Sequence, residues 1–183
     1  MKVLGIIGSP RQNSNTEILV NEAMEGARQA GAEVEILNIT EKDIAPCNGC
    51  EFCADTSECS INDDMQQIYT KLLEADGIFI GTPVYFWSVG AQVKTFMDRT
   101  YALIRERKLR GKVGGAAVVA RRAGCATTYS LLITFFNQHR MTFAGGVIGY
   151  ADKEGDIKTD QEAMQEARLA GRAVVRTLQR LAS

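Results

Sequence analysis

Short, β-rich apolar runs alternate along this chain with longer stretches of helical periodicity. Lys2–Gly8 is nearly free of charge and rich in branched residues, the pattern of a strand buried on both faces. Ser14–Ala30 places Ile18, Leu19, Ala23 and Ala27 on one face and meets Gly31 as a stop, which predicts a helix. Val34–Ile39 alternates apolar and polar side chains, as an outer strand does. The pattern then predicts a helix at Asp63–Glu74, a strand at Gly77–Gly81 and a helix at Ala91–Arg107. A strand at Val113–Ala120, a helix at Thr127–His139, a strand at Thr142–Ile148 and a closing helix at Gln161–Leu181 complete it.

Strands alternating with helices imply a parallel sheet covered on both faces, because right-handed crossovers are nearly obligatory. Five strands so linked suit the order 2-1-3-4-5, a flavodoxin-like three-layer α/β sandwich. A ligand then belongs beyond the carboxyl ends of the strands, at the switch point between strands 1 and 3. Chemistry is therefore expected after Gly8, Gly81, Ala120 and Ile148. With 183 residues and no repeat, the chain fits one domain, 1–183, carrying a cysteine-rich insertion at about 44–62. That insertion is unusually long for a connection between strand and helix.

Composition narrows the partners. Apolar residues make up 45% and charged residues 23%, ordinary for a soluble globular protein. A net charge of -1 gives no electrostatic reason to expect nucleic acid or anionic membrane. No apolar run approaches the ~20 residues of a membrane span, and the N-terminal run is too soon interrupted for a signal peptide. The expectation is a cytoplasmic protein.

The loop Ser9-Pro10-Arg11-Gln12-Asn13-Ser14-Asn15-Thr16 joins the first strand to the first helix. Hydroxyls, amides and one guanidinium stand beside the free N–H groups and positive dipole end of a helix, which is a phosphate cradle by chemistry. The alternative is that Ser14 or Asn15 merely caps the helix. Neither G-x-G-x-x-G nor G-x-x-x-x-G-K-[ST] is present. After the third strand comes Pro83-Val84-Tyr85-Phe86-Trp87-Ser88, with three consecutive aromatics at a strand's carboxyl end. Such a run suits a flat ligand, or else covers the core or a subunit contact.

Together these two motifs resemble the NADPH-dependent FMN reductase superfamily, with G-S-P-R-x-N-S-N-T in the first loop and T-P-V-Y-x-x-S after the third strand. The likeness extends over essentially the whole strand–helix order. It implies that Ser9, Arg11, Ser14, Asn15 and Thr16 hold the phosphate of FMN, and that Pro83, Val84, Tyr85, Phe86, Trp87 and Ser88 line the isoalloxazine. It also implies a homodimer or homotetramer, with a neighbouring chain completing the flavin site. Lys94, Asp98 and Arg99 match the family's next helix and read as structural or interfacial, an ion pair on a solvated face. Arg121, Arg122 and Gly124 follow the fourth strand, where they could reach the ring's polar edge or a nicotinamide phosphate. Tyr150 is a weaker candidate, Cys125 reads as a passive thiol, and His139 reads as a surface residue.

Four of the five cysteines, Cys47, Cys50, Cys53 and Cys59, crowd into the long insertion, which points to metal or redox chemistry rather than stapling. Three at two-residue spacing approach a ferredoxin run, but the last gap is longer and no proline follows. A zinc ion or metal-free redox thiols would use the same sulfurs. The pattern C-x2-C-x2-C-x5-C on such a chain is similar to the iron–sulfur flavoproteins, a branch of the same superfamily. That resemblance implies a [4Fe–4S] cluster on all four cysteines, exchanging electrons with FMN; the choice between NAD(P)H and a ferredoxin as electron donor stays open. Two other functions stay open: a cluster-free NAD(P)H-dependent reductase of flavins or quinones, and a flavodoxin-like carrier without a substrate.

Overall fold

The computed structural model describes residues 1–182. Its elements run β1 (Lys2–Ile7), α1 (Asn15–Gln29), β2 (Glu33–Asn38), α2 (Phe52–Thr56), α3 (Met65–Glu74) and β3 (Gly77–Tyr85). They continue with β4 (Ser88–Val89), α4 (Ala91–Arg99), β5 (Val113–Ala120), α5 (Cys125–Gln138), β6 (Thr142–Tyr150) and α6 (Gln161–Ala182). The parallel strands lie in the order β2-β1-β3-β5-β6, the predicted 2-1-3-4-5 of a flavodoxin-like sandwich, and β4 folds back antiparallel on β3.

Each parallel strand feeds both apolar layers. Val3, Phe79, Ala117 and Val147 pack against Leu19, Met24 and Val174 of α1 and α6. Leu4, Ile6, Ile78 and Val118 pack on the other face against Leu72, Phe96 and Leu132 of α3, α4 and α5. In α6 the buried positions Ala163, Ala167, Ala170, Gly171, Val174, Val175 and Leu178 form one helical stripe. Its small residues let α6 approach α1 so closely that a Cβ on Gly171 would lie 1.7 Å from the Ala23 carbonyl oxygen.

Differences from the predicted elements have local causes. Helix α4 stops at Arg99 rather than Arg107, because Thr100–Leu103 tightens into a 3-10 turn in which the Thr100 hydroxyl donates to the Met97 carbonyl at 2.7 Å. β3 runs on past the end of β1, beside β5 as far as Pro83 and then against β4 to Tyr85, an edge position of the kind where a strand tolerates Pro83. The short helix α2 and the hairpin strand β4 carry too few residues to show a period.

His139 is not on the surface. It is 2% exposed, its Nε2 lies 2.9 Å from Thr100 Oγ1, and its ring meets Phe135 edge-on at 4.7 Å. The Thr100 proton is already committed to Met97, so Nε2–H donates and Nδ1 is left buried without a partner. Burial depresses the imidazole to about 4. The unfolded chain takes a proton near pH 6.5 that the native state refuses, so this group's contribution falls as pH drops from about 6.5 to about 4. Urea unfolding should therefore show about 2 kcal/mol less stability at pH 5 than at pH 7 from this group. In His139→Gln that part of the slope should vanish; an unchanged slope would remove His139 as its source.

Candidate functional site

Loops after β1, β3, β5 and β6 meet at the carboxyl edge of the sheet around a cleft of about 230 Å³. Ser9, Arg11, Ser14, Asn15 and Thr16 line one side, Pro83, Val84 and Tyr85 another, with Ala120, Arg121, Asp152 and Glu154 at the mouth. The position is the switch point between β1 and β3.

Ser14 is the N-cap of α1 and accepts from the Glu17 N–H at 3.1 Å, as the capping alternative requires. Its own hydroxyl proton is still free to donate. The N–H groups of Asn15 and Thr16 lie in the first turn and have no intrahelical partner. Ser9, Ser14 and Thr16 are buried, while Arg11 is exposed and pairs with no carboxylate among the described residues. Asn15 is different. Its Nδ2 donates to the Lys153 carbonyl at 2.8 Å and its Oδ1 accepts from the Ile157 N–H at 3.3 Å. The side chain thus ties the segment after β6 to the start of α1, and only its backbone N–H is open to the cleft.

The aromatic segment forms a hairpin in which Tyr85 pairs with Ser88. Phe86 (φ 48°) and Trp87 (φ 61°) sit at its tip, both in the left-handed region that a two-residue hairpin turn demands and bulky residues avoid. The strain is held from outside. Buried Thr82 donates to the Pro83 carbonyl and accepts from the Gly90 N–H, and Thr127 of α5 donates to the Trp87 carbonyl at 3.0 Å. Gly124 (φ 88°) lies under the tip, where a Cβ would come within 3.0 Å of Trp87 Cα and 2.8 Å of Val84 Cγ1. Phe86 is 93% exposed and Trp87 61%, and neither these two nor Ser88 or Gly124 lines the cleft.

Arg121 reaches across the mouth to Asp152, with Nε at 2.7 Å from Oδ1 and Nη2 at 3.1 Å from Oδ2. The pair is exposed and contributes little stability, so Arg121 can be released at small cost. Lys94 and Asp98 form the expected exposed pair four residues apart on α4. Arg122 is exposed, and Cys125 is buried, which raises its thiol despite a hydrogen bond with Tyr150. Asp152 and Glu154 were missed from the sequence; the only signal for them was their place after a strand's carboxyl end.

The four clustered cysteines line a second, smaller cavity together with Ser60, Ile61, Asp98, Arg99, Tyr101 and Ala102. Their loop is stapled at its base. Asp63 accepts from the Ala45 and Met65 N–H groups, Asp64 accepts from the Asp43 N–H, and Gln66 donates to the carbonyls of Cys59 and Ile61. Cys50 Sγ lies 3.2 Å from Ser60 Oγ, and this contact lowers the Cys50 thiol below its usual range. Burial raises that of Cys53, with the neighbouring three thiols adding to it. Among the described residues no three His, Cys, Asp or Glu side chains converge to hold a single metal ion.

Residues 1–155 match the family described as NADPH-dependent FMN reductase. The chain belongs to this family. Within the family it is 41% identical over 184 residues to an iron–sulfur flavoprotein of Methanocaldococcus jannaschii, with 95% of each chain covered. It is 38% identical over 148 residues to an iron–sulfur flavoprotein of Methanosarcina thermophila, covering 79% of this chain and 78% of that one. A solved flavone reductase shares the fold, with a TM-score of 0.82 at 20% identity over 100% of this chain and 64% of the other. This FMN reductase family member binds FMN and is a flavin-dependent oxidoreductase. No helix of the described residues is long and apolar enough to cross a membrane.

Proposed function

We propose that this protein passes electrons between FMN and a [4Fe–4S] cluster held by Cys47, Cys50, Cys53 and Cys59, taking them from NAD(P)H or a ferredoxin. One observation carries the reading: four thiols from one stapled loop line one cavity. Four soft thiolates are the donor set an iron–sulfur cluster needs. A tetrahedral zinc would use the same four sulfurs, and metal analysis separates the two. Bound FMN would accept a hydride or single electrons and the cluster one electron at a time, joining two-electron to one-electron carriers.

Ser9, Ser14 and Thr16 hydroxyls, the Asn15 and Thr16 N–H groups and the Arg11 guanidinium hold the phosphate in this reading. Asn15 fixes the segment that closes over it. Pro83, Val84 and Tyr85 line the ring, and Gly124 holds the hairpin behind them. Arg121, freed from Asp152, reaches the ring's polar edge or a nicotinamide phosphate. No side chain is assigned as acid or base. Five cysteines without a disulfide suit a reducing compartment such as the cytoplasm.

Iron and sulfide analysis of anaerobically prepared protein tests the cluster directly, with visible absorption before and after dithionite. Flavin without iron would favour the second reading, a cluster-free NAD(P)H-dependent reductase. For the flavin site, FMN should bind and riboflavin should bind far more weakly. Arg11→Ala should cost about 1.5–3 kcal/mol of FMN affinity by fluorescence titration, typical of a charged hydrogen bond. Equal affinity for riboflavin and FMN would contradict the phosphate cradle.

Exposed Phe86, Trp87 and Tyr101 suit a contact between copies, in a homodimer or homotetramer. Sedimentation of the FMN-bound protein at micromolar concentration should show that assembly; a monomer would count against it.

A further inference from the structure

Arg99 is the largest fully buried side chain among the described residues, and it lines the cysteine cavity. Nη1 donates to Asp63 Oδ2 at 2.6 Å and to the Ala45 carbonyl at 2.8 Å; Nη2 donates to Asp63 Oδ1 at 3.0 Å and to the Ile61 carbonyl at 3.3 Å. These four bonds close the base of the cysteine loop. They leave Nε–H buried and without a hydrogen-bond partner. Burial works against the charge, but Asp63 and then Cys59 outweigh it and keep the guanidinium protonated. Tyr69 donates to the Arg99 carbonyl at 2.7 Å and also lies beside Cys59, so the whole arrangement abuts one sulfur.

A buried ion pair is poor evidence for a stabilising role, since apolar residues of similar volume often serve as well. A strap between loop ends accounts for Nη1 and Nη2 and says nothing of Nε. An orphaned cationic donor lining the same cavity as four thiols is placed to serve an ionised sulfur there.

We propose that Arg99 is a built-in counter-charge for the cluster, its Nε–H donating toward the sulfur of Cys59. This rests on the cluster reading above. A cluster on four thiolates is net negative, and more so once reduced. A buried cation therefore favours the reduced form and raises the potential, as hydrogen bonds to cluster sulfurs also do. Arg99 acts through Cys59 and so is a positioning residue rather than a catalytic one.

The test separates charge from strap. Asp63→Asn breaks the charged clamp and keeps the cation; Arg99→Gln/Asp63→Asn removes both charges without leaving either buried alone. Anaerobic proteins are compared by iron, sulfide and FMN content and by midpoint potential from an EPR-monitored redox titration. Asp63→Asn is expected to keep its iron at a potential at or above that of the parent. The double variant should have a lower potential, or lose its iron while keeping FMN, and Arg99→Lys should lie nearer the parent than the double variant. Equal potentials in the double variant and the parent would overturn the proposal. So would equal potential drops, or equal iron loss, in Asp63→Asn and the double variant, since a strap alone then accounts for both. Parent protein without iron would instead defeat the cluster reading itself.

Discussion

Alanine at Cys47, Cys50, Cys53 or Cys59 is expected to strip the iron from anaerobically prepared protein while FMN stays bound. The parent should carry about four irons and four sulfides per chain, one thiolate serving each iron. All four thiols come from the single connection between β2 and α3, so losing one opens the cavity they line. The cleft proposed for FMN is built on other loops and shares no lining residue with that cavity. Iron loss and FMN retention should therefore separate cleanly. Cys125→Ala should change neither, because Cys125 is buried at the start of α5 apart from the cysteine loop. One zinc per chain in anaerobic protein, with no absorption beyond the flavin's, would refute the assignment.

Gly171→Val should damage the fold severely. A Cβ at this position would stand 1.7 Å from the Ala23 carbonyl oxygen and 2.6 Å from its carbon. Overpacking a core against side chains costs about 1–3 kcal/mol because rotamers can give way. Here the obstacle is the backbone of α1, which can move only as a helix. The reciprocal contact, Gly26 against the Arg168 carbonyl, would be lost with it. The loss should exceed that range in urea unfolding, with a smaller deficit for Gly171→Ala and FMN release tracking global unfolding. A valine variant as stable as the parent would mean that α1 and α6 separate freely.

Much of this was legible in the chain, for reasons of range. The sheet order follows from alternating periods and the handedness of crossovers, both properties of contiguous segments. That Ser9, Arg11, Ser14, Asn15 and Thr16 would line one cleft was legible because they share the loop that opens the first helix, whose N-terminus needs only its own first residues to favour an anion. The four cysteines were legible because they lie within one loop. What the sequence determined is thus whatever local spacing alone can place.

Tertiary structure decided the rest. Arg99 reads as one half of a surface pattern until the loop ends at Ala45, Ile61 and Asp63 are brought around it. His139 reads as a polar residue closing a helix until the Thr100 turn covers it. Asn15 sits among candidate phosphate ligands in the chain, yet its amide is taken by a segment some 140 residues away. Phe86 and Trp87 read as part of one aromatic run in the chain, and a two-residue turn with both backbones in the left-handed region sets them exposed at the hairpin tip. In each case the deciding partner comes from a distant part of the chain, or from the geometry of a turn that residue type does not favour. Neither leaves a periodic or compositional trace, because burial and pairing belong to the packed arrangement and not to the segment.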